Sequence, residues 1–273
     1  MNSTLTGSLL HLTVHLQIKG KLLIALLIFL ASQRIAGQDT ITFTERYPSG
    51  ISVEYGAGSY SVSDRYISGE VYHGSLPILS IGWARRHNRY FYRLNVEYRQ
   101  SDRIHNFNVS TDITQFSISQ GFLYPLKKVS LLSKDLFIRM GPETEIFAFT
   151  NKPRIAVSGF DYAQSYAGLL SLVYCADALY PLGKNLLVES GLHLSLLSLG
   201  LRSVDSEETD EPVVKPLTLL SGMNSSANLG VKYYLFRPLS VNVEYRFEFL
   251  RISSWEMLQS ISNNLMAGVC YNF

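Results

Sequence analysis

The sequence is poor in several features that usually identify a fold or a reaction. Its 273 residues include only 2 Cys and 2 Trp, and charged residues make up only 17% of it. Cys175 and Cys270 lie far apart in the chain, which excludes the close spacing that zinc and redox sites require. We expect both to be small side chains facing the interior of the fold, with an inter-strand disulfide as the alternative.

A surplus of basic residues is also missing. The formal net charge is +2, but Lys19, Lys21 and Arg34 lie within residues 1–37, which contain no acidic residue. Without these three of the 24 basic residues, 21 remain against 22 acidic ones, a net charge of −1. Because nucleic-acid recognition requires a basic face or stripe, no nucleic-acid partner is expected.

Long apolar runs are almost absent. The exception is Leu22–Ala31, a run of ten residues. A membrane-crossing helix needs about 20 apolar residues, so the sequence excludes a polytopic helical membrane protein. The run follows two lysines and is followed by Ile35-Ala36-Gly37, the pattern of a secretory signal peptide. We predict a signal peptide at residues 1–37, cleaved before Gln38, and a periplasmic extension at residues 38–49.

The sequence is rich in aromatic residues and in alternating patterns. It contains 17 Tyr and 14 Phe, and its mean hydropathy is only +0.09. From residue 50 onward apolar and polar residues alternate with period two, which is typical of β-strands with one apolar face. Ten such segments lie at about residues 50–61, 77–87, 89–100, 114–125, 135–149, 164–180, 185–199, 225–236, 239–250 and 261–273. Each is close to or longer than the ~9–11 residues that a tilted strand needs to cross a bilayer.

The connections between these segments alternate in length. Short ones follow the even-numbered strands, around residues 88, 126–134, 181–184 and 237–238, and long ones lie at 62–76, 101–113, 150–163, 200–224 and 251–260. Short periplasmic turns and long extracellular loops are typical of outer-membrane barrels. The sequence therefore predicts an all-β fold, an antiparallel up-and-down transmembrane β-barrel of ten strands over residues 50–273. Eight or twelve strands are the alternatives, since 62–76 and 200–224 are long enough to hold more strand residues.

The last segment ends in an aromatic carboxy-terminal residue. One face carries Leu265, Ala267, Val269, Tyr271 and Phe273. With this strand, the chain resembles the small outer-membrane β-barrel proteins of Gram-negative bacteria over residues 50–273. The resemblance implies a location in the outer membrane, contact with its lipid and lipopolysaccharide, and recognition of these five residues by the barrel assembly machinery. It implies no particular function, because one fold hosts many.

The polar residues of the strands are predicted to line the lumen. This set contains eight acidic and six basic residues: Glu54, Arg86, Arg93, Glu97, Arg99, Arg139, Glu143, Glu145, Asp177, Glu189, Lys232, Glu244, Arg246 and Glu248. Ten strands enclose little more space than side chains fill, and a buried charge is costly unless it is paired. We therefore predict a charge-paired interior, with a narrow, porin-like channel for small solutes as the alternative.

Candidate catalytic groups are few. His193-Leu194-Ser195 is similar to the His-x-Ser of outer-membrane phospholipases and lipid A deacylases, which implies a basic role for His193 and a nucleophilic role for Ser195. The alternation places both on the lumen side, however, and Leu196 stands where those enzymes have Asn. Outer-membrane proteases carry acidic and His–Asp pairs at the extracellular rim, and Asp102, His105 and Asp112 lie in one predicted loop without a matching motif.

No cofactor or metal ion is predicted. Residues 205–211 carry five carboxylates but lack the spacing and the glycine of a calcium-binding EF-hand loop. We therefore predict a non-enzymatic outer-membrane barrel with a structural, surface-binding or accessory role through long extracellular loops. A small-solute channel and a lipid-modifying enzyme using His193 and Ser195 are the alternatives.

Overall fold

The computed structural model describes residues 49–87, 89–107, 109–132, 134–154, 164–205 and 213–273. The predicted signal peptide lies outside these residues, as does the predicted extension except for Ser49. The strands are β1 (Gly50–Asp64), β2 (Ser68–Ser75), β3 (Ile78–Arg86), β4 (Phe91–Asn106), β5 (Val109–Leu131), β6 (Lys134–Arg154), β7 (Gln164–Pro181), β8 (Leu186–Asp205), β9 (Val213–Thr218), β10 (Gly222–Phe236), β11 (Leu239–Ile252) and β12 (Leu258–Asn272). Among the described residues, no helix is long and apolar enough to cross a membrane.

These twelve segments form ten barrel strands. β2 and β3 both pair with β1 and with β4, so they are one barrel strand interrupted at Leu76 and Pro77, where proline cannot donate to the ladder. β9 and β10 both pair with β8 and are one barrel strand interrupted by the turn at 219–221. All pairings are antiparallel, and β1 closes the barrel by pairing with β12. The predicted ten-stranded up-and-down barrel is confirmed.

An apolar belt surrounds the barrel, because alternate side chains of each strand point outward. The exposed members of this belt include Ile51, Val53, Tyr55, Leu79, Ile81, Tyr98, Phe116, Phe122, Ile146, Leu170, Leu172, Leu192, Leu229, Val231, Val243, Tyr245, Leu265, Val269 and Tyr271. A closed antiparallel barrel with an even number of strands and an outward apolar band is the architecture of bacterial outer-membrane proteins. The chain therefore has the fold of an outer-membrane β-barrel protein, and the apolar belt places it in that membrane.

The two ends of the barrel differ. We call the end with the connections at 87–90, 132–133, 182–185 and 237–238 the turn end; it also carries Gly50 and Asn272, where the barrel begins and ends. We call the opposite end, with the turns at 65–67, at Phe107 and at 253–257, the loop end. From the rule that short turns are periplasmic, we expect the loop end on the outside of the cell.

The prediction of long loops is wrong in extent. Residues 62–76 and 101–113 are mostly strand, with turns of only a few residues, and β8 and β9 occupy much of 200–224. The predicted turn at 126–134 is wrong as well, because β5 continues to Leu131 and β6 begins at Lys134. The remaining parts of two predicted loops, 155–163 and 206–212, lie outside the described residues, and so does nearly all of the acidic run at 205–211.

The sequence pattern did not predict the strand extensions at the loop end. In these extensions the inward side chains are apolar and the outward side chains are polar, which is the reverse of the pattern in the rest of the strand. In β1, Tyr60 and Val62 point inward and are buried, whereas Ser61 and Ser63 point outward. Below this level the apolar side chains of the same strand, such as Val53, point outward to the lipid. At the level of the belt, the barrel is apolar outside and polar inside. Between the belt and the loop end, which we call above the belt, it is polar outside and apolar inside.

This inversion predicts opposite responses to the same substitution. Val243→Arg, at the middle of the belt, should lower the free energy of unfolding in lipid vesicles by about 2–4 kcal/mol, since arginine is costly against hydrocarbon. Val71→Arg, on β2 above the belt, should change it by about 1 kcal/mol or less. Urea titrations of the two variants test this, and equal losses would contradict the position of the belt.

Candidate functional site

A layer of ion pairs crosses the barrel interior. Glu97 on β4 accepts hydrogen bonds from Arg99 (2.6 Å) and from Arg246 on β11. Arg99 also donates to Glu248, and Arg246 donates to Glu244 (2.8 Å). Two arginines and three carboxylates are thereby joined in one network, which compensates for the cost of taking charges out of water.

A second group of ion pairs lies nearer the turn end. Arg93 on β4 pairs with Glu143 on β6 (2.7 Å) and contacts Asp177 on β7 (3.4 Å). Asp177 also pairs with Arg139 (3.1 Å), whose guanidinium stacks over the ring of Phe91. His193 on β8 lies against this group, with Nδ1 3.6 Å from Glu143.

Nine of the fourteen predicted lumen residues belong to these two groups, and the others do not. Among the described residues, Glu54, Glu145, Glu189 and Lys232 form no ion pair, although all four line the interior cavity. Glu54 accepts from Asn242 (3.0 Å) and Glu145 from Asn224 (2.8 Å). Arg86, the last residue of β3, is exposed at the turn end and lines neither interior cavity.

Space remains inside the barrel. A cavity of about 310 Å³ lies among the ion pairs, and a second of about 190 Å³ lies toward the turn end. Both are lined by Arg93, Glu189, Asn228 and Lys232, so they adjoin one another. Their walls are polar and charged, which suits water or a small polar solute rather than an apolar ligand.

An apolar cluster fills the loop end of the barrel. This loop-end core consists of Tyr60, Val62, Tyr72, Leu76, Ile104, Ile113, Phe147, Phe149, Ala167, Leu169, Leu217, Leu250, Ile252 and Leu258, with Val109 and Trp255 packed against it. Its members come from nine of the ten barrel strands, and all but Phe147 are less than 5% exposed. The core therefore occupies the position at which an open channel would need an exit.

A buried ion pair lies within this end of the barrel. Asp64 pairs with Arg202 (2.6 Å), and the side chains of both are 0% exposed. Asp64 also accepts hydrogen bonds from Ser165, from Asn151 (3.2 Å) and from the backbone N–H of Tyr66 (3.2 Å). Asp64 is the last residue of β1, and its partners lie on β6, β7 and β8, so one carboxylate joins strands from opposite parts of the barrel.

The candidate lipid-hydrolysing residues are not arranged for catalysis. His193 and Ser195 both face the lumen, and Ser195 is fully buried, with Oγ accepting the backbone N–H of Asn224 (2.9 Å). The ring of His193 contacts Arg93, with Nε2 3.2 Å from the guanidinium. Lipid on the outside of the barrel has no access to either side chain.

Three side chains of metal-ligating types lie together in the same region. Ligand atoms of Glu143, Cys175 and His193 all lie within 4.8 Å of one another. Arg93 already contacts Glu143 and His193, however, and its positive charge opposes the binding of a cation there. Cys175 and Cys270 are both buried on inward positions of β7 and β12, and no disulfide joins them.

The three rim residues do not form one cluster. Asp112 pairs with Arg154 on β6 (2.7 Å), and Asp102 is exposed on β4. His105 lies opposite His73 of β2, a residue that carried no signal in the sequence. The sequence pattern did not indicate Asp64 and Arg202 either. Both lie near strand ends, where the inward positions are mostly apolar and the period-two pattern is reversed.

Comparison with known proteins finds similarity at the level of fold. No protein-family model matches the chain, and no curated protein sequence matches it. Among solved structures, the chain is similar to the outer membrane protease OmpT from Escherichia coli, with 9% identity, 83% of this chain and 95% of that chain covered, and a TM-score of 0.47. The translocator domain of the autotransporter NalP from Neisseria meningitidis has 12% identity, coverage of 96% and 98%, and a TM-score of 0.46. Neisserial surface protein A has 17% identity, coverage of 82% and 97%, and a TM-score of 0.34.

Proposed function

We propose that this outer-membrane barrel is closed and non-catalytic, and that it acts by presenting a rigid surface at its loop end. The loop-end core carries the proposal, because it fills the barrel with apolar side chains at the level where a channel would open to the outside. The ion-paired interior below it has no access for lipid. What remains accessible for interaction is the outer face of the strand extensions.

The form of these extensions supports a surface role. Two of the ladders continue to the loop end, with Asp64 paired to Leu258 and Asn106 paired to Val109, so much of this surface is sheet. On β6 the outward positions above the belt are Lys152 and Arg154, both exposed, and Arg154 is also paired with Asp112. Exposed cations at this level favour contact with the phosphate groups of lipopolysaccharide.

Two terminal segments are proposed to act in export and in assembly. Residues 1–37 are proposed to direct export and to be removed. The outward residues of β12, from Leu265 to Phe273, are proposed to be read by the barrel assembly machinery; Leu265, Val269, Tyr271 and Phe273 are exposed on the outer face.

A narrow channel is the second candidate, favoured by the two adjoining cavities of the interior. Recordings from planar lipid bilayers distinguish the two functions. We expect the purified, folded protein to give no discrete conductance steps, because ions would have to cross the loop-end core.

An opened variant serves as the control for that measurement. Replacing Leu217 and Leu258 of the loop-end core by serine should admit water and produce conductance steps, provided that heat-modifiable migration on gels shows a folded barrel. Discrete and reproducible steps from the unmodified protein would support the channel and overturn the closed barrel.

A further inference from the structure

Two histidines face each other on the outer surface of the loop end. His73 on β2 and His105 on β4 are register partners in the antiparallel pairing, and both are exposed. Directly opposite residues on one face of a sheet have Cβ atoms about 4.5–5.5 Å apart. Two imidazole side chains whose Cβ atoms are this close can reach one ion that lies between them.

Both rings are held through the same nitrogen. The Nδ1 of His73 lies 2.8 Å from the hydroxyl of Ser61, and the Nδ1 of His105 lies 3.3 Å from the backbone carbonyl of Arg103. A carbonyl can only accept, so the neutral ring of His105 carries its proton on Nδ1 and its lone pair on Nε2. The hydroxyl of Ser61 can accept in the same way from His73.

This arrangement is the one that metal-binding histidines adopt. A ligating imidazole normally donates its other N–H to a backbone carbonyl, a carboxylate or a similar acceptor, which fixes the ring and its tautomer. No described residue is hydrogen-bonded to the Nε2 of His73 or of His105. The lone pairs of two neighbouring, exposed imidazoles therefore remain available on one face.

We propose that His73 and His105 form a surface site for a late divalent transition-metal ion, Cu²⁺ or Zn²⁺, bound through the two Nε2 atoms and completed by water. Imidazole is the protein ligand that suits these ions. A carboxylate lies nearby, since Glu70 on β2 accepts from Asn106, the residue next to His105 (2.9 Å). Its negative charge favours a cation at this position.

The site has a structural consequence. The pair His73–His105 is the one backbone register pair that joins β2 to β4, next to the irregular stretch between Ser101 and Ile104. A metal ion bound across it would hold the two strands together at the rim. Since the metal would bind the folded state and not the unfolded one, it should also raise the stability of the protein.

Titration of the untagged, folded protein with Cu²⁺ and with Zn²⁺, followed by calorimetry and by the paramagnetic resonance of Cu²⁺, tests this site. We expect one ion per chain and two nitrogen ligands. His73→Ala and His105→Ala should each weaken binding by about 10-fold to 100-fold or more, since each removes one ligand. His87→Ala, at the turn end where the ring stacks on Tyr90, is the matched control and should bind as the unmodified protein does.

A second variant tests the geometry without metal. His73→Cys combined with His105→Cys should form a disulfide on oxidation, because directly opposite strand residues meet the distance requirement for that bond. Failure of this cross-link in a folded barrel would show that the two side chains do not meet. Metal binding that survives both alanine substitutions, or that is lost with His193→Ala instead, would overturn the site.

Discussion

Asp64→Asn should lower the free energy of unfolding by about 3–5 kcal/mol, the cost of leaving a buried charge without its partner. Arg202 is fully buried and forms its ion pair with Asp64, so an amide at position 64 would remove its counter-charge. The substitution keeps the size of the side chain, so the loss would arise from charge and not from a cavity. We expect the loop end to loosen before the belt does.

Tryptophan fluorescence during urea titration in lipid vesicles measures this loosening. Trp255 packs against the loop-end core, whereas Trp83 lies in the transmembrane part of β3. Variants with one tryptophan each replaced by Phe separate the two signals, and we expect the transition reported by Trp255 to occur at lower urea in Asp64→Asn.

The matched control breaks an exposed ion pair with the same chemical change. Asp112→Asn removes the partner of Arg154, whose side chain is 56% exposed, and exposed pairs contribute about 1 kcal/mol or less. If Asp64→Asn were as mild as Asp112→Asn, the buried pair would not be holding the loop end closed.

Glu97→Gln should have an effect of similar size in the middle of the barrel. Glu97 is the shared partner of Arg99 and Arg246, so a neutral side chain would leave two buried guanidinium groups with one carboxylate fewer. We expect a loss of about 3–5 kcal/mol in the free energy of unfolding, measured by urea titration in vesicles.

Glu145→Gln is the control for this second prediction. Glu145 lies in the same cavity and has the same side chain, but it forms no ion pair with a described residue and is hydrogen-bonded to Asn224 (2.8 Å). Glutamine retains an oxygen that accepts this bond, and the substitution breaks no ion pair. We expect a change of about 1 kcal/mol or less, or a gain in stability. Equal losses from the two variants would contradict a network centred on Glu97.

The sequence by itself determined the architecture and the faces of the strands. Side-chain direction in a strand depends only on whether a position is odd or even, so the alternation of Val243 and Tyr245 with Glu244 and Arg246 already assigned one set to lipid and the other to the lumen. The same rule placed the outward residues of β12 correctly. Ten segments of sufficient length then implied a closed barrel with both of its ends at the turn end.

The sequence could not determine where the strands end at the loop end. There the alternation continues with the opposite sense, because the surroundings of the barrel change from lipid to water and the apolar side chains turn inward to the loop-end core. The alternation therefore predicted a strand that ends at residue 61, with Val62 in the loop that follows. The loops inferred from that break had to be corrected to strand extensions.

Only the tertiary structure decided which side chains meet. Arg99 and Glu248 are 149 positions apart, and Arg202 and Asp64 are 138 positions apart. His73 and His105 are joined by pairing between strands that β3 separates in the chain. Whether a position is odd or even determines the face on which its side chain lies, but not its level along the barrel or its neighbours. These depend on the register of every ladder and on the closure of β1 against β12. The charge pairs, the loop-end core and the histidine pair all follow from that register.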